Sequence, residues 1–186
     1  MDEFVILWIA VALIAFWAVG AYNRLVRLRS QTVQAFAAVN EQLSKYVALV
    51  RANGSLMNDT GLAELVPQHA DTLTQAWIGV DSAATQFEDY LKKISQQPLD
   101  PAAMSALQTA YSTLGTSWER LQSEPPDLAG HRIPEVLQQD WSQVALLISP
   151  AKAEFNRLVV AYNEAIAQFP ASLLAWLFAF NPARPL

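Results

Sequence analysis

Residues 4–21 read FVILWIAVALIAFWAVGA, a run with no charged or strongly polar side chain. Wound as a helix it would be ~27 Å long at about 1.5 Å per residue, against a hydrocarbon layer of about 30 Å. Phe4, Val5, Ile6, Leu7, Ile9, Val11, Leu13, Ile14, Phe16 and Val19 each favour insertion by roughly 0.3–0.6 kcal/mol, with no buried charge opposing them. Trp8 sits nearer one expected interface, and Trp17 and Tyr22 suit the other. A buried core helix is the competing reading, which the length and purity of the run disfavour. Ala18-Val19-Gly20 has the small residues of a signal cleavage site. The preceding residues are acidic (Asp2, Glu3) and the run outlasts a signal core, so retention is expected.

Just outside the run lie Arg24, Arg27 and Arg29, with no Lys or Arg before it. Basic flanks stay in the cytoplasm, so the expected topology is a short outer N-terminus and an inner domain. The same arginines are placed for anionic headgroups, at about 1 kcal/mol each near the surface.

From Tyr22 onward the pattern is helical throughout, and no stretch alternates with period two. Leu25, Leu28, Thr32, Phe36, Val39, Leu43, Tyr46 and Val50 recur at spacings of three and four. This stripe follows the anchor without a break signal, and Gly20 is the one candidate hinge. Asn53-Gly54 predicts the helix end, with residues 55–61 as loop. A second stripe runs through Val66, Leu73, Trp77, Val80, Ala84, Phe87, Leu91 and Ile94, with Pro67 blurring its start. Asp100-Pro101 predicts a capped helix start, followed by Met104, Leu107, Tyr111, Leu114, Trp118 and Leu121. After the turn Glu124-Pro125-Pro126-Asp127 come Trp141, Val144, Ile148, Ala151, Phe155, Leu158, Tyr162, Ala165 and Phe169. Pro150 should bend or restart this last helix, and Phe169-Pro170 should close it.

The expected fold is therefore all-α: a transmembrane helix within residues 1–21, then an elongated antiparallel four-helix bundle over residues 22–186. Coiled-coil-like packing at shallow angles is the expected geometry. Residues 171–180 end the chain's apolar pattern and are too short to span a bilayer. Packing over the bundle base is the preferred seat, with the membrane interface and a protein partner as alternatives.

The sequence holds little that chemistry could use. There are no cysteines, and the formal net charge of −5 comes without a basic stripe beyond the three arginines, which argues against nucleic acid. His69 and His131 are far apart and lack ligands at metal spacing. Glu88-Asp89 are neighbours in sequence and so point to different helix faces as solvated surface. No phosphate loop or nucleophile motif is present. The aromatic stripe Trp77, Phe87, Trp118, Trp141, Phe155 reads as core before cofactor pocket. No catalytic, cofactor or metal residue is therefore expected, and an enzyme ranks last among the functions.

Two blocks echo one another: Tyr22-Asn23-Arg24-Leu25-Val26 and Phe155-Asn156-Arg157-Leu158-Val159, with Tyr162-Asn163 repeating the aromatic–Asn step. Chance is one reading, and a polar seam between the first and last helices is the other. With Val33, Ala35-Phe36, Val39 and Gln42-Leu43 near the start, and Ile166, Phe169-Pro170, Leu173 and Ala175 near the end, the chain resembles the LemA family of bacterial membrane proteins. It departs from the family's pattern at Ser44-Lys45-Tyr46-Val47-Ala48-Leu49, at residues 123–150, and at Ala179-Phe180, where the family commonly has Gly-Phe. The resemblance implies an N-terminal anchor with its start outside, a long-helix bundle in the cytoplasm, and no catalytic residues. The expected function is a membrane-tethered scaffold or interaction module with protein partners or self-association. A signalling element working through the first helix is the alternative.

Overall fold

The structure is a computed structural model that describes residues 2–58, 72–125 and 133–186, without the side chains of residues 2, 3 and 55–58. It is helical, with no strand among the described residues. The first helix, α1 (Asp2–Asn58), is one uninterrupted rod of 57 residues. Proline is absent until Pro67, and a Cβ at Gly20 would meet nothing within 4 Å, so no break forms at the candidate hinge. The apolar run and the bundle helix are thus continuous across residues 21 and 22.

The expected stop at Asn53-Gly54 is overturned. The Asn53 amide donates to the Leu49 carbonyl at 2.8 Å, four residues back. A side chain that could have favoured a turn instead reinforces the helix, which runs on to Asn58. Residues 55–58, expected as loop, are therefore helical.

Helix α2 (Thr72–Gln96) and helix α3 (Pro101–Ser123) form a hairpin. The expected cap at their junction is in place, with the Asp100 carboxylate accepting from the Ala102 N–H at 3.0 Å and Pro101 at the first helical position. Helix α4 (Glu135–Ala167) carries Pro150 inside it and does not restart there. Pro150 and Leu146 lie on the exposed face, so the carbonyl the proline frees can be hydrated. A short helix, α5 (Ala171–Leu177), follows a sharp break after Gln168. Val66, Pro67, His69 and His131 lie outside the described residues.

Helix α1 is flanked by α4 on one side and α2 on the other, and α3 packs on α2. Contacting pairs fix the directions. Phe36 meets Phe155 edge-on with centroids 5.5 Å apart, Tyr46 meets Trp141 at 4.2 Å, and Tyr22 meets Phe178 at 4.7 Å. Numbers rise along α1 as they fall along α4 and α5, so α4 is antiparallel to α1. No Cα of α3 comes within 8 Å of one in α4 among the described residues.

The predicted stripes form the core. Leu25, Phe36, Val39, Leu43 and Val50 of α1 are at most 1% exposed, as are Val80, Phe87, Ile94, Met104, Leu107, Leu114, Leu121 and Phe155 on the other helices, joined by Val159 from outside the stripes. Tyr111, Trp141 and Ala151 are half-buried. Phe169, assigned to the stripe from its spacing, is 76% exposed because α4 ends two residues before it. Burying one such side chain contributes about 1.5–3 kcal/mol, whereas an exposed ion pair contributes about 0–1. The stripes therefore hold the bundle together.

Glu88, expected as solvated surface, takes part in an exposed ion pair. It bridges helices, meeting Arg51 of α1 and, at 2.7 Å, Lys92 on its own helix. The Lys92 and Arg51 hydrogen bonds together hold its carboxyl below the usual carboxylate range. Thr32 is fully buried, with its hydroxyl donating to the Leu28 carbonyl at 2.8 Å.

Candidate functional site: the base of the bundle

The apolar run stands alone. In α1 the best eighteen-residue window has a mean hydropathy of 2.6, and none of it is buried against the rest of the protein. Phe4, Trp8 and Trp17 are exposed on this rod. The change of character comes at Leu25, the first fully buried side chain of the bundle. By length and composition, α1 is a helix able to cross a membrane.

Beside that transition lies α5, turned 97° from α4. Tyr22, expected at the interface, is covered in part by the tail, with its ring 4.7 Å from Phe178 and 6.1 Å from Phe180. Ala175 is buried against the base, while Leu173, Trp176 and Leu177 of α5 are 61–83% exposed. The preferred seat of the tail, packing on the bundle, thus holds for one face of α5 and not for the other.

Arg24 and Arg27, three residues apart on α1, open onto a groove of about 840 Å³ facing α4, with Gln31, Glu164 and Gln168 on its walls. A second hollow of about 370 Å³ lies just below, between Trp17, Gly20, Gln168 and Pro170. Arg29 is exposed; burial pushes the Tyr162 phenol up, and the Arg29 charge works against that shift. Asn23 is exposed on α1.

The remaining family-pattern residues meet somewhere the sequence did not indicate. Asn156 and Asn163 are two helical turns apart on α4 and face the extended segment 181–186. The Asn163 amide donates to the Ala183 carbonyl at 2.8 Å and accepts from the Ala183 N–H at 2.9 Å. Asn156 does the same to Leu186, at 3.0 and 2.8 Å. Each amide thus supplies the donor and acceptor that a neighbouring strand would offer a backbone. The Tyr162 hydroxyl donates to the Asn181 carbonyl at 2.9 Å. From α3, Gln108 donates to the Pro185 carbonyl at 3.1 Å, and Arg184 donates to the Ser105 hydroxyl at 3.4 Å. Ala183 and Leu186 are buried by this arrangement. The two asparagines therefore tie α4 to the C-terminal segment and not to α1, while the buried polar contact between α1 and α4 is a long one, the Thr32 hydroxyl to the Leu158 carbonyl at 3.5 Å. Phe155 belongs to the core, against Phe36, and Pro170 precedes α5 with a cis bond from Phe169.

The path of that segment is set by Ala179, which has φ 54°, in the left-handed region. Phe180 N–H reaches the Ala175 carbonyl at 2.8 Å and Ala179 N–H the Trp176 carbonyl at 3.3 Å. These two bonds are a Schellman ending of α5, whose left-handed position ordinarily takes glycine. The sequence signal was visible at this residue, as the departure from Gly-Phe. Gln108 and Ser105 carried no signal, since polar residues on an exposed helix face are commonplace.

Among the described residues no three His, Asp or Glu side chains gather as a metal site would require. No curated protein and no solved structure matches the chain. The family model for LemA matches residues 23–186, which takes in the bundle, α5 and the segment gripped by Asn156 and Asn163. With most of its length covered in this way, the chain belongs to the LemA family.

Proposed function

We propose that this protein is a membrane-anchored, non-catalytic scaffold whose bundle recruits protein partners at the cytoplasmic face of a bacterial inner membrane. The observation that carries the reading is the division of exposed apolar surface along the molecule. One share forms the rod of α1, and another lies far from it on α4, where Val136 is 67%, Leu146 75% and Leu147 46% exposed. Exposed apolar residues remote from the anchor suit a protein contact, and the segregation of Arg24, Arg27 and Arg29 just after the run supports the N-out orientation.

Photo-crosslinking residues placed at Leu146 and Leu147 in native membranes test the recruiting role. The expected result is one or a few discrete adducts, with self-adducts counting as self-association. Smears or no adducts here and across the other exposed bundle positions would end the scaffold reading. Orientation is checked separately in a chain that has no cysteine of its own. A membrane-impermeant thiol reagent should label Asp2→Cys and spare Ser142→Cys in intact cells.

The signalling alternative is favoured by one feature, the unbroken passage of α1 from Asp2 to Asn58. A rotation or shift within the membrane would be carried rigidly into the bundle. Inserting Pro-Gly after Gly20 should then change the Leu146 crosslinks while membrane insertion persists; unchanged crosslinks would reject it.

A further inference from the structure

We propose that α5, together with Phe169, is a second membrane contact: an interfacial foot that dips into the leaflet from which α1 emerges. Leu173, Trp176 and Leu177 are spaced by three and one, which puts them on one side of α5, and they, like Phe169 just before the helix, are more than 60% exposed. The opposite side, at Ala175, is buried on the bundle base. From Ala165 to Ala183 no side chain carries a charge, so no ionised group on the foot has to leave water.

Three observations identify the occupant of this face as lipid. The exposed face adjoins the apolar rod of α1, because the Phe178 ring packs at a tilt against Tyr22, one position beyond the run that ends at Ala21. Helix α4 is antiparallel to α1, so a 97° turn lays α5 across the rod and therefore along the plane of a bilayer that the rod crosses. Arg24 and Arg27 lie on the bundle side of the same level, in the groove with Gln168, where lipid phosphates would be. An amphipathic helix so placed settles with its apolar face roughly 5–10 Å into the headgroup and acyl boundary. The Glu164 carboxylate also borders the groove, so the arginines act on headgroups beside it and not as an isolated anion pocket. The foot fixes the tilt of the bundle on the membrane, which a single helix by itself leaves free.

This inference rests on α1 spanning the bilayer, and the experiment separates the two. The full chain, free of native cysteines, is made as Ile9→Cys, Leu173→Cys, Trp176→Cys and Leu146→Cys. Each is spin-labelled and reconstituted into vesicles of phosphatidylethanolamine and phosphatidylglycerol. Collision rates with oxygen, which concentrates in lipid, and with a water-soluble nickel complex are then compared. The expected oxygen-to-nickel ratio is several-fold higher at positions 173 and 176 than at 146, and highest at position 9. A ratio at 173 and 176 equal to that at 146, with position 9 still lipid-like, overturns the foot and leaves the anchor standing. An aqueous reading at position 9 overturns both. Dipolar broadening between labels at position 176 of different molecules would mean that a second copy covers the face, which also overturns the proposal. Far-ultraviolet circular dichroism of each labelled protein confirms that the helices remain.

Discussion

Far from the apolar run of α1, α3 and α4 are joined by rings. Trp118 stacks on Trp141 at 4.1 Å with planes 10° apart, and Tyr46 and Tyr111 extend the cluster to α1 and α3. Near the base the same two helices are joined by backbone, the segment 181–186 held by Asn156, Asn163 and Gln108. No backbone contact within 8 Å links α3 and α4 themselves. Large aromatic side chains can fill such a gap without direction, by area. An extended segment brings unpaired N–H and C=O groups with it, so it can fill the gap only where amides satisfy them. The polar residues at the base are therefore the condition for packing there, and the aromatic cluster needs none.

The comparison is broken most forcefully at the rings. Trp118→Ala should lower stability by about 3–5 kcal/mol, since a buried indole leaves a cavity that its neighbours cannot close. Chemical denaturation of the detergent-solubilised chain, followed by circular dichroism, measures it. Asn163→Ala attacks the other closure and should cost about 1–3 kcal/mol, because the Ala183 N–H and carbonyl both lose a partner. Its distinguishing sign is local: faster hydrogen exchange at Ala183 and Leu186, with the amides around Trp118 unchanged. Asn23→Ala, on an exposed position that likewise follows a tyrosine, should change neither.

A fourth change works in the opposite direction. Ala179→Gly should stabilise the protein by about 1 kcal/mol, the order of the penalty an L side chain bears in the left-handed region. A measured loss would mean that the Schellman ending does not govern the segment's path. The smallest effect is set by pH. Burial raises the Tyr46 phenol above its ordinary 10.0, with the neighbouring Tyr111 adding to the shift. A group whose pKa is raised by folding contributes its stability fully below the unfolded value and loses it as pH climbs toward the folded one. Stability should thus fall above about pH 10, and Tyr46→Phe should flatten that decline; an identical slope in the variant would remove Tyr46 as its cause.

Much of this was legible in the residues. Each helical stripe follows from apolar spacing, because burial on one helix face leaves a period of three and four that no loop would keep. Asp100-Pro101 was readable because a cap is a local contact. Asn53-Gly54 misled because the Asn amide has two options, turning the chain or bonding back to Leu49, and the packed α1 selects the second. Asn156, Asn163 and Tyr162 stood out as a pattern shared with a family, while their role did not. Their partners are backbone atoms some twenty to thirty positions away, which have no sequence signature.

The sequence by itself determined that the chain is helical, where its core faces lie, and that an uncharged rod precedes the bundle. These are properties of period and composition, carried by each stretch alone. Only the tertiary structure decided that α1 runs unbroken through Gly20, that α5 turns across the base, and that the last residues close the bundle against the asparagines. Those outcomes depend on which groups meet across the fold: a backbone amide is satisfied by whatever polar group reaches it, and the linear order of residues does not specify which one does.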